Sequence, residues 1–316
     1  MKKCAVCNSV DGLKTYFVRE MMFGFRDEFE YFHCSNCNCL QIAEIPENIQ
    51  DYYPDNYYSF QKPELKKLGY LRKKRDTYAL LGKGLIGKLL NLYLPGTKLE
   101  ILSEAQINAK SNILDVGSGN GKLLLELNEI GLENLMGVDP YVIHDLELTN
   151  GIKVFKKTIH EITGQYDLIM FHHSFEHMSD PRETLNTVSR LLSPNGYCII
   201  RVPTTSSYAW NHYKENWVQL DAPRHFFLHS VESMKILAEE NNLVIEKVIY
   251  DSTAFQFWGS EQNAHDIPLK TEKSYAINPE KSIFSKEDIK QYKERAKELN
   301  KTNQGDACAF ILRHKK

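Results

Sequence analysis

Eight residues, LDVGSGNG at 114–121, constrain the fold of this chain more than any other stretch. An apolar run precedes them (Ile113, Leu114, Val116), and Leu123, Leu124, Leu127 and Ile130 follow at helical spacing. A strand, a glycine-rich turn and a helix in that order bring backbone N–H groups and a helix N-terminus up to a ligand. Gly117, Gly119 and Gly121 remove the side chains that would obstruct that approach. A second apolar stretch, 135–138, ends at Asp139, about twenty residues past the turn, where a carboxylate accepts hydrogen bonds from ribose hydroxyls. The combination reads as a nucleoside-cofactor site. A glycine turn with no ligand is the alternative, and the flanking strand, helix and acid weigh against it.

The 316 residues leave room for one large α/β domain and something smaller. Lys and Arg number 39 against 41 Asp and Glu, without a large basic block, so a dominant phosphate-backbone partner is not expected. No apolar run approaches the ~20 residues that span a bilayer, and MKKCAVCNSV lacks the apolar core of a secretion signal. A cytoplasmic protein is the expectation, in which the seven cysteines are thiols or metal ligands rather than disulfides.

Four of those cysteines form two knuckles, Cys4-x-x-Cys7 and Cys34-x-x-Cys37, separated by strand-like stretches at 15–18 and 29–32. Two thiolates from each knuckle close a tetrahedral zinc site, and all four positions are then filled, so the zinc is read as structural. Metal supplies folding energy that so small a core lacks. Cys39 is a bystander, while Cys198 and Cys308 fall in apolar strands as small core residues.

The predicted organisation is a ribbon over 1–45, an aromatic linker and helical segment over 46–109, and an α/β domain over 110–316. In the linker, Tyr52, Tyr53, Tyr57, Tyr58 and Phe60 either line a pocket or dock the ribbon by packing, the second being favoured. Helical patterning over 64–93 breaks at 82–87, its lysine and arginine runs forming a solvated face, and a further helix is predicted over 98–109. Strands are expected near 112–116, 135–139, 152–155, 166–171, 196–202, 243–250 and 307–313. Helices are expected near 120–131, 142–149, 180–192 and 230–241, which makes a largely parallel sheet covered on both faces. Two long stretches interrupt the pattern: an aperiodic loop over 203–229, of a length that is usually functional and read as a substrate loop, and an insertion over 251–305 with a helix at 286–299, read as a lid or substrate wall.

The dinucleotide fingerprint needs a glycine at 122, and Lys122 stands there instead. With Asp115 two residues before Gly117, the G-x-G-x-G turn resembles the first motif of class I S-adenosylmethionine-dependent methyltransferases. That resemblance implies a Rossmann-like seven-stranded sheet whose last strand is antiparallel. It also implies that Asp115, Gly117, Ser118, Gly119, Asn120 and Gly121 cradle the methionine and ribose end of the cofactor. Asp139 then takes the ribose hydroxyls, and Pro140, Thr158 and Ile159 flank the adenine.

The segment YDLIMFHHSFEHMSDP at 166–181 resembles the branch of that family with Glu-His-x-x-Asp-Pro after the fourth strand. Strand ends face the ligand in such sheets, which aims Phe171, His172 and His173 at cofactor or substrate. Metal-assisted relatives carry Glu-x-x-Glu-His here with a later histidine, so His173, Glu176 and His177 are a candidate metal set. A Glu-His pair bonded to nearby backbone is the plainer alternative. The Pro223-Arg224-His225 stretch, the ribbon, the YYP linker and the 257–262 segment together resemble bacterial methyltransferases associated with polysaccharides and other glycans.

The resemblance implies O-methylation of a small-molecule acceptor, a sugar or nucleotide sugar, and nucleic acid is not the expected partner. A hydroxyl nucleophile needs a base. His225 is the first candidate, Asp221 orients its ring, Arg224 holds an anionic part of the substrate, and His173 or His177 stands next in line. His225 capping a helix near Ser230 is the plain alternative. The rivals for the whole chain are an RNA methyltransferase gripping RNA with its ribbon and a non-catalytic cofactor-binding partner. A keto-sugar C-methyltransferase also has such a ribbon, but its relatives carry a large extra C-terminal domain that is missing here.

Overall fold

The computed structural model describes residues 2–54, 69–94 and 97–315, so Tyr57, Tyr58 and Phe60 lie outside the described residues. Each cysteine knuckle is closed by an asparagine in the left-handed region. Asn8 (φ 62°) donates its N–H to the Cys4 carbonyl at 2.9 Å, and Asn38 (φ 56°) donates to that of Cys34 at 2.7 Å. Asparagine tolerates that conformation, which turns both thiols of a knuckle to one side. Between the knuckles β1 (Leu13–Arg19) and β2 (Glu28–Cys34) pair antiparallel, and β3 (Leu40–Ile42) joins β2.

Helical patterning resolves into α1 (Tyr70–Leu81) and α2 (Leu85–Tyr93), separated where Gly82 and Gly84 take φ values of 65° and 98°. Then come α3 (Thr97–Ser103), β4 (Ile113–Val116), α4 (Lys122–Glu129), β5 (Leu135–Val138), β6 (Leu146–Glu147), β7 (Lys153–Phe155) and β8 (Tyr166–His172). The next helix, α5 (Pro181–Leu191), starts cleanly. Asp180 accepts the Glu183 N–H at 3.0 Å, proline occupies the first helical position, and Leu185, Val188 and Leu191 face the core. The chain continues through β9 (Leu192–Pro203), α6 (Tyr208–Tyr213), β10 (Phe227–Leu228), α7 (Val231–Glu240), β11 (Leu243–Tyr250), α8 (Phe255–Ala264), α9 (Lys286–Lys301) and β12 (Ala307–His314).

The large sheet runs β11-β12-β9-β8-β4-β5-β7-β6. Strands β9, β8, β4, β5 and β7 are parallel neighbours, while β12 is antiparallel to both β9 and β11. The central β4 is buried along its whole length and β8 through most of it, as strands covered on both faces must be. The seven expected strands and the antiparallel last strand are all present, which makes this a Rossmann-like sheet of the expected topology. The helix expected over 142–149 is not. Leu146 and Glu147 pair antiparallel with β7 as an eighth, two-residue edge strand, Asn150 at φ 62° turns the chain, and Asp145 accepts the Lys156 N–H at 2.7 Å. Local side-chain bonding and edge pairing override the helical spacing here.

The cysteine-bearing sheet is completed from far along the chain, in the order β1-β2-β3-β10. In that pairing Phe227 and Leu228 meet Gln41 and Leu40. The 203–229 loop is therefore a buried bracket rather than a free loop. Trp217 is wholly buried and donates its indole N–H to Asp306 at 3.0 Å, and Tyr31 donates its hydroxyl to the His225 carbonyl at 2.9 Å.

At its centre Arg224 is fully buried. It donates to Asp221 (2.7 and 3.1 Å), to Glu20 (2.8 Å) and to the Tyr52 carbonyl (3.0 Å), with its guanidinium over the Phe23 ring. Glu20 in turn accepts the N–H groups of Met22, Phe23, Gly24 and Phe25 at 2.9–3.0 Å. Every guanidinium nitrogen is thus engaged, so the expectation that Arg224 grips substrate is corrected: it is a buried tie between the two sheets.

The 251–305 insertion also departs from its expected role. Leu269 and Lys270 donate N–H groups to the Met21 and Met22 carbonyls, both at 2.8 Å, and Asp266 pairs with Arg19 at 2.9 Å and Arg26 at 3.1 Å. It braces the turn that holds Glu20. Of the linker aromatics, Tyr52 docks between Phe25 and Phe29 and donates to Asp27 at 2.7 Å, while Tyr53 turns away from the ribbon.

Truncating one member of a hydrogen-bonded buried ion pair leaves uncompensated charge in the core. Arg224→Ala is expected to destabilise the fold by about 3–5 kcal/mol, read as a shift of the urea midpoint, because Glu20 and Asp221 both lose their counterion.

Candidate active site

The C-terminal ends of β4, β5 and β8 open on a cavity of about 770 Å³. Its floor is the glycine turn. Gly117 at φ 73° lies so close to Ser174 that a Cβ added there would sit 2.3 Å from the Ser174 Cβ, and one on Gly121 would meet Leu148 at 2.5 Å. Those glycines are favoured by the close approach of the Ser174 and Leu148 side chains as well as by conformation.

Asp139 anchors the same wall. One carboxylate oxygen accepts the Gly119 N–H and the other the Tyr141 N–H, each at 2.9 Å, which leaves further lone pairs toward the cavity. Burial raises Asp139 despite these bonds, and burial together with the Asp139 charge pushes Asp115 up to about 7. Thr158 and Ile159 line the side of the cavity beneath β7, with Thr158 capping a 3-10 turn through Glu161. Tyr53 stacks on Tyr141 at 5.6 Å across the opening.

The opposite wall carries three imidazoles, His172, His173 and His177. His173 sits in the left-handed region (φ 54°), and its Nε2 meets Arg201, which is itself tied to Asp251. Arginine is a donor only, so the His173 proton resides on Nδ1, facing Glu176 at 3.5 Å. His177 donates from Nδ1 to the Arg224 carbonyl at 2.7 Å and lies within 3.4 Å of the Tyr53 hydroxyl. Its Nε2 therefore carries the free lone pair. Burial, reinforced by the charge of His225, lowers the His177 pKa, so the ring is neutral near pH 7.

Behind His177, 4.8 Å away and edge-on, stands His225. It is only 7% exposed and forms no part of the cavity wall. Its Nδ1 donates to the Gln219 carbonyl at 2.7 Å, and its Nε2 faces Asp221 at 3.8 Å and Glu176 at 3.9 Å. Asp221, ion-paired to Arg224, likewise lies off the wall.

Glu176 is fully buried, and neither of its oxygens has a hydrogen-bond partner within ordinary distance. Burial raises its pKa, but the donor and charge of the surrounding histidines outweigh that and hold it down to about 2. The ligand atoms of Glu176, His177 and His225 all fall within 4.8 Å of one another. His173 contributes no atom to that convergence, so the later histidine of the candidate metal set is His225.

Most of the predicted cofactor residues meet in the cavity wall: Asp115, the four turn residues 117–120, Asp139, Pro140, Thr158, Ile159 and His172. Gly121 lies directly beneath as the left-handed first residue of α4's approach. Phe171 does not reach the cavity. It is wholly buried against Phe175 at 5.4 Å, because alternate residues of a strand point to opposite faces and His172 takes the exposed one. Sequence reasoning missed Tyr141, Met178 and Phe226, which also line the space. Tyr141 follows Asp139-Pro140 directly, and its position after the strand end was the available signal.

The four cysteine Sγ atoms lie within 4.8 Å of one another, with Cys4–Cys37 at 3.6 Å and Cys7–Cys34 at 3.5 Å. A tetrahedral zinc with bonds of about 2.3 Å separates its sulfurs by about 3.8 Å, so this set fits such an ion. Cys4 is held low, to about 4, chiefly by the Cys37 donor, and the Gln41 amide adds a bond at 3.2 Å.

The profile of a family described as a methyltransferase domain matches residues 90–248, half of the chain, and the chain belongs to that family. Curated relatives include the ubiquinone biosynthesis O-methyltransferases of Erwinia tasmaniensis, 30% identical over 110 residues, and of Cronobacter sakazakii, 27% identical over 110 residues. Each alignment covers 31% of this chain, which spans 44% of each relative's length. Among solved structures, the methyltransferase bound to the Haloferax volcanii Trm112 methyltransferase activator overlays at a TM-score of 0.47 and 13% identity, covering 77% of this chain and 98% of that one. Among the described residues no helix is long and apolar enough to cross a membrane.

The buried acid beside the glycine turn has a cost that pH reveals. Below its ordinary value of 3.8, Asp115 is neutral folded and unfolded; above about 7 it is ionised in both, and the buried charge weighs on the folded state in full. The ligand-free protein therefore loses stability as pH rises from about 4 to 7, and Asp115→Asn is expected to restore on the order of 2–4 kcal/mol at about pH 8 and little at about pH 4. Urea denaturation at the two pH values checks the sign.

Proposed function

We propose that the protein is an S-adenosylmethionine-dependent methyltransferase that O-methylates a small molecule, with a sugar or nucleotide sugar as the acceptor class. One observation carries the reading: a single cavity of about 770 Å³ joins the glycine turn and Asp139 to three imidazoles at the end of β8. The cofactor, when bound, supplies a methyl group on a sulfonium sulfur that an acceptor oxygen displaces in line. Asp115 and residues 117–121 hold its methionine and ribose end, Asp139 accepts from the ribose hydroxyls, and Pro140, Thr158 and Ile159 flank the adenine.

His177 takes the acceptor's proton. Its Nδ1–H is committed to the Arg224 carbonyl, its Nε2 is an acceptor, and burial keeps it neutral. His225 positions that ring from behind, and His173, held by Arg201, shapes the wall. The acceptor class rests on the Pro223-Arg224-His225, ribbon and linker resemblance, and the O-methyltransferase names of the relatives agree with an oxygen nucleophile.

A second reading is favoured by the buried carboxylate of Glu176, whose oxygens make no hydrogen bond and lie within 4.8 Å of ligand atoms of His177 and His225. A divalent cation held by Glu176, His177 and His225 would acidify the acceptor hydroxyl directly. In the ribbon, Cys4, Cys7, Cys34 and Cys37 hold a structural zinc.

Incubation with a panel of nucleotide sugars and, separately, polyhydroxylated quinols, read by mass spectrometry for a methyl gain, tests the acceptor class. His177→Ala is expected to bind cofactor normally and lose roughly 10²–10⁴-fold in turnover. If turnover stays within a few-fold, His177 is not the base. If chelation abolishes turnover in the parent while the ribbon metal stays bound, the cation reading replaces it.

Cys34→Ser is expected to lose the one zinc per chain and to unfold the ribbon at lower temperature before cofactor affinity changes, as elemental analysis and thermal scans will report. Full metal retention in that variant would refute the assignment.

A further inference from the structure

The α1–α2 hairpin takes no part in the cavity or in the tie between the sheets. In α2, Leu85, Ile86, Leu89, Leu92 and Tyr93 form one stripe at helical spacing, and each is between 54 and 86% exposed. Half of the large apolar side chains exposed among the described residues lie within 70–94. The stripe points outward because Gly87, on the other face, lets α2 press onto α1: a Cβ there would lie 2.2 Å from the Lys74 carbonyl oxygen.

Charge is concentrated around the stripe. Residues 69–94 contain six Lys and Arg and one acid, in a chain whose totals are 39 and 41. That acid, Asp76, is buried and already paired with Arg72 and Arg75, so Lys73, Lys74, Lys83 and Lys88 remain exposed and free of any acidic partner among the described residues. An apolar stripe rimmed by cations matches a surface that is apolar inside and anionic outside. A symmetric pairing with a second copy would instead set the same cationic rim against itself.

We propose that the hairpin docks the protein on an anionic phospholipid surface. The stripe enters the boundary between headgroups and acyl chains, and Lys73, Lys74, Lys83 and Lys88 meet the phosphates. Arg72 pairs with Glu126 of α4 at 3.1 Å, and α4 begins at the glycine turn, so the hairpin is linked to the helix that leads from the cavity's floor. The inference is independent of which acceptor is methylated.

The test is flotation of the full chain with vesicles of phosphatidylcholine alone and of phosphatidylcholine with about a quarter phosphatidylglycerol. The protein is expected to float with the anionic vesicles, to be released by high salt, and to stay behind with the neutral ones. Lys83→Ala and Lys88→Ala are each expected to weaken partitioning about 5-fold. Leu89→Glu/Leu92→Glu is expected to abolish flotation, and the milder Leu89→Ala/Leu92→Ala to reduce it, with thermal midpoints unchanged because these side chains project into solvent. Failure of the parent to float with anionic vesicles, or undiminished flotation of Leu89→Glu/Leu92→Glu, overturns the proposal. So does light scattering that finds a dimer which the same variant dissociates, since the stripe then serves self-association.

Discussion

Arg224 is the point through which the molecule is held together. Its side chain ties a ribbon carboxylate (Glu20), a linker carbonyl (Tyr52) and its own loop (Asp221), while its backbone carbonyl orients His177. A fully buried guanidinium is tolerated only when its donors are satisfied, and here two carboxylates and a carbonyl do so. The same contacts explain why the 203–229 segment is ordered without regular periodicity. It is a bracket between two sheets, and its β10 strand completes the smaller one.

That arrangement divides labour among the histidines. His177 lines the cavity and His225 stands behind it, both with Nδ1 committed to backbone carbonyls and His225 with Nε2 facing the buried Glu176. Only His177 reaches the cavity. The ribbon acts on the site at a distance, since Tyr31 bonds the His225 carbonyl and Glu20 holds Arg224, so the cysteine-bearing sheet and the imidazole wall share one framework. Loss of order in the ribbon would therefore reach the wall through two hydrogen-bonded routes.

Sequence reading succeeded where local rules act without competition. The glycine turn, the acid after β5, the capped α5 and the buried strands each follow from a pattern within a few residues. It failed where long-range contacts decide. Spacing over 142–149 suits a helix, but an edge pairing with β7 takes those residues. Phe171 and His172 are equivalent in sequence and opposite in fate, because strand alternation sends one into the core. Length and position suggest a lid or substrate wall for the insertion over 251–305, but its Leu269, Lys270 and Asp266 brace the ribbon turn and none of its residues lines the cavity.

By itself the sequence determined the class of sheet, the nucleoside-facing turn with its acid, and the pairing of four thiols, because each depends on short-range geometry that a few residue types satisfy. Which histidine faces the cavity, which arginine is sealed in the core and which strand finishes the ribbon were decided only in three dimensions. Those choices depend on contacts between residues as far apart as Glu20 and Arg224, whose separation along the chain leaves no periodic trace.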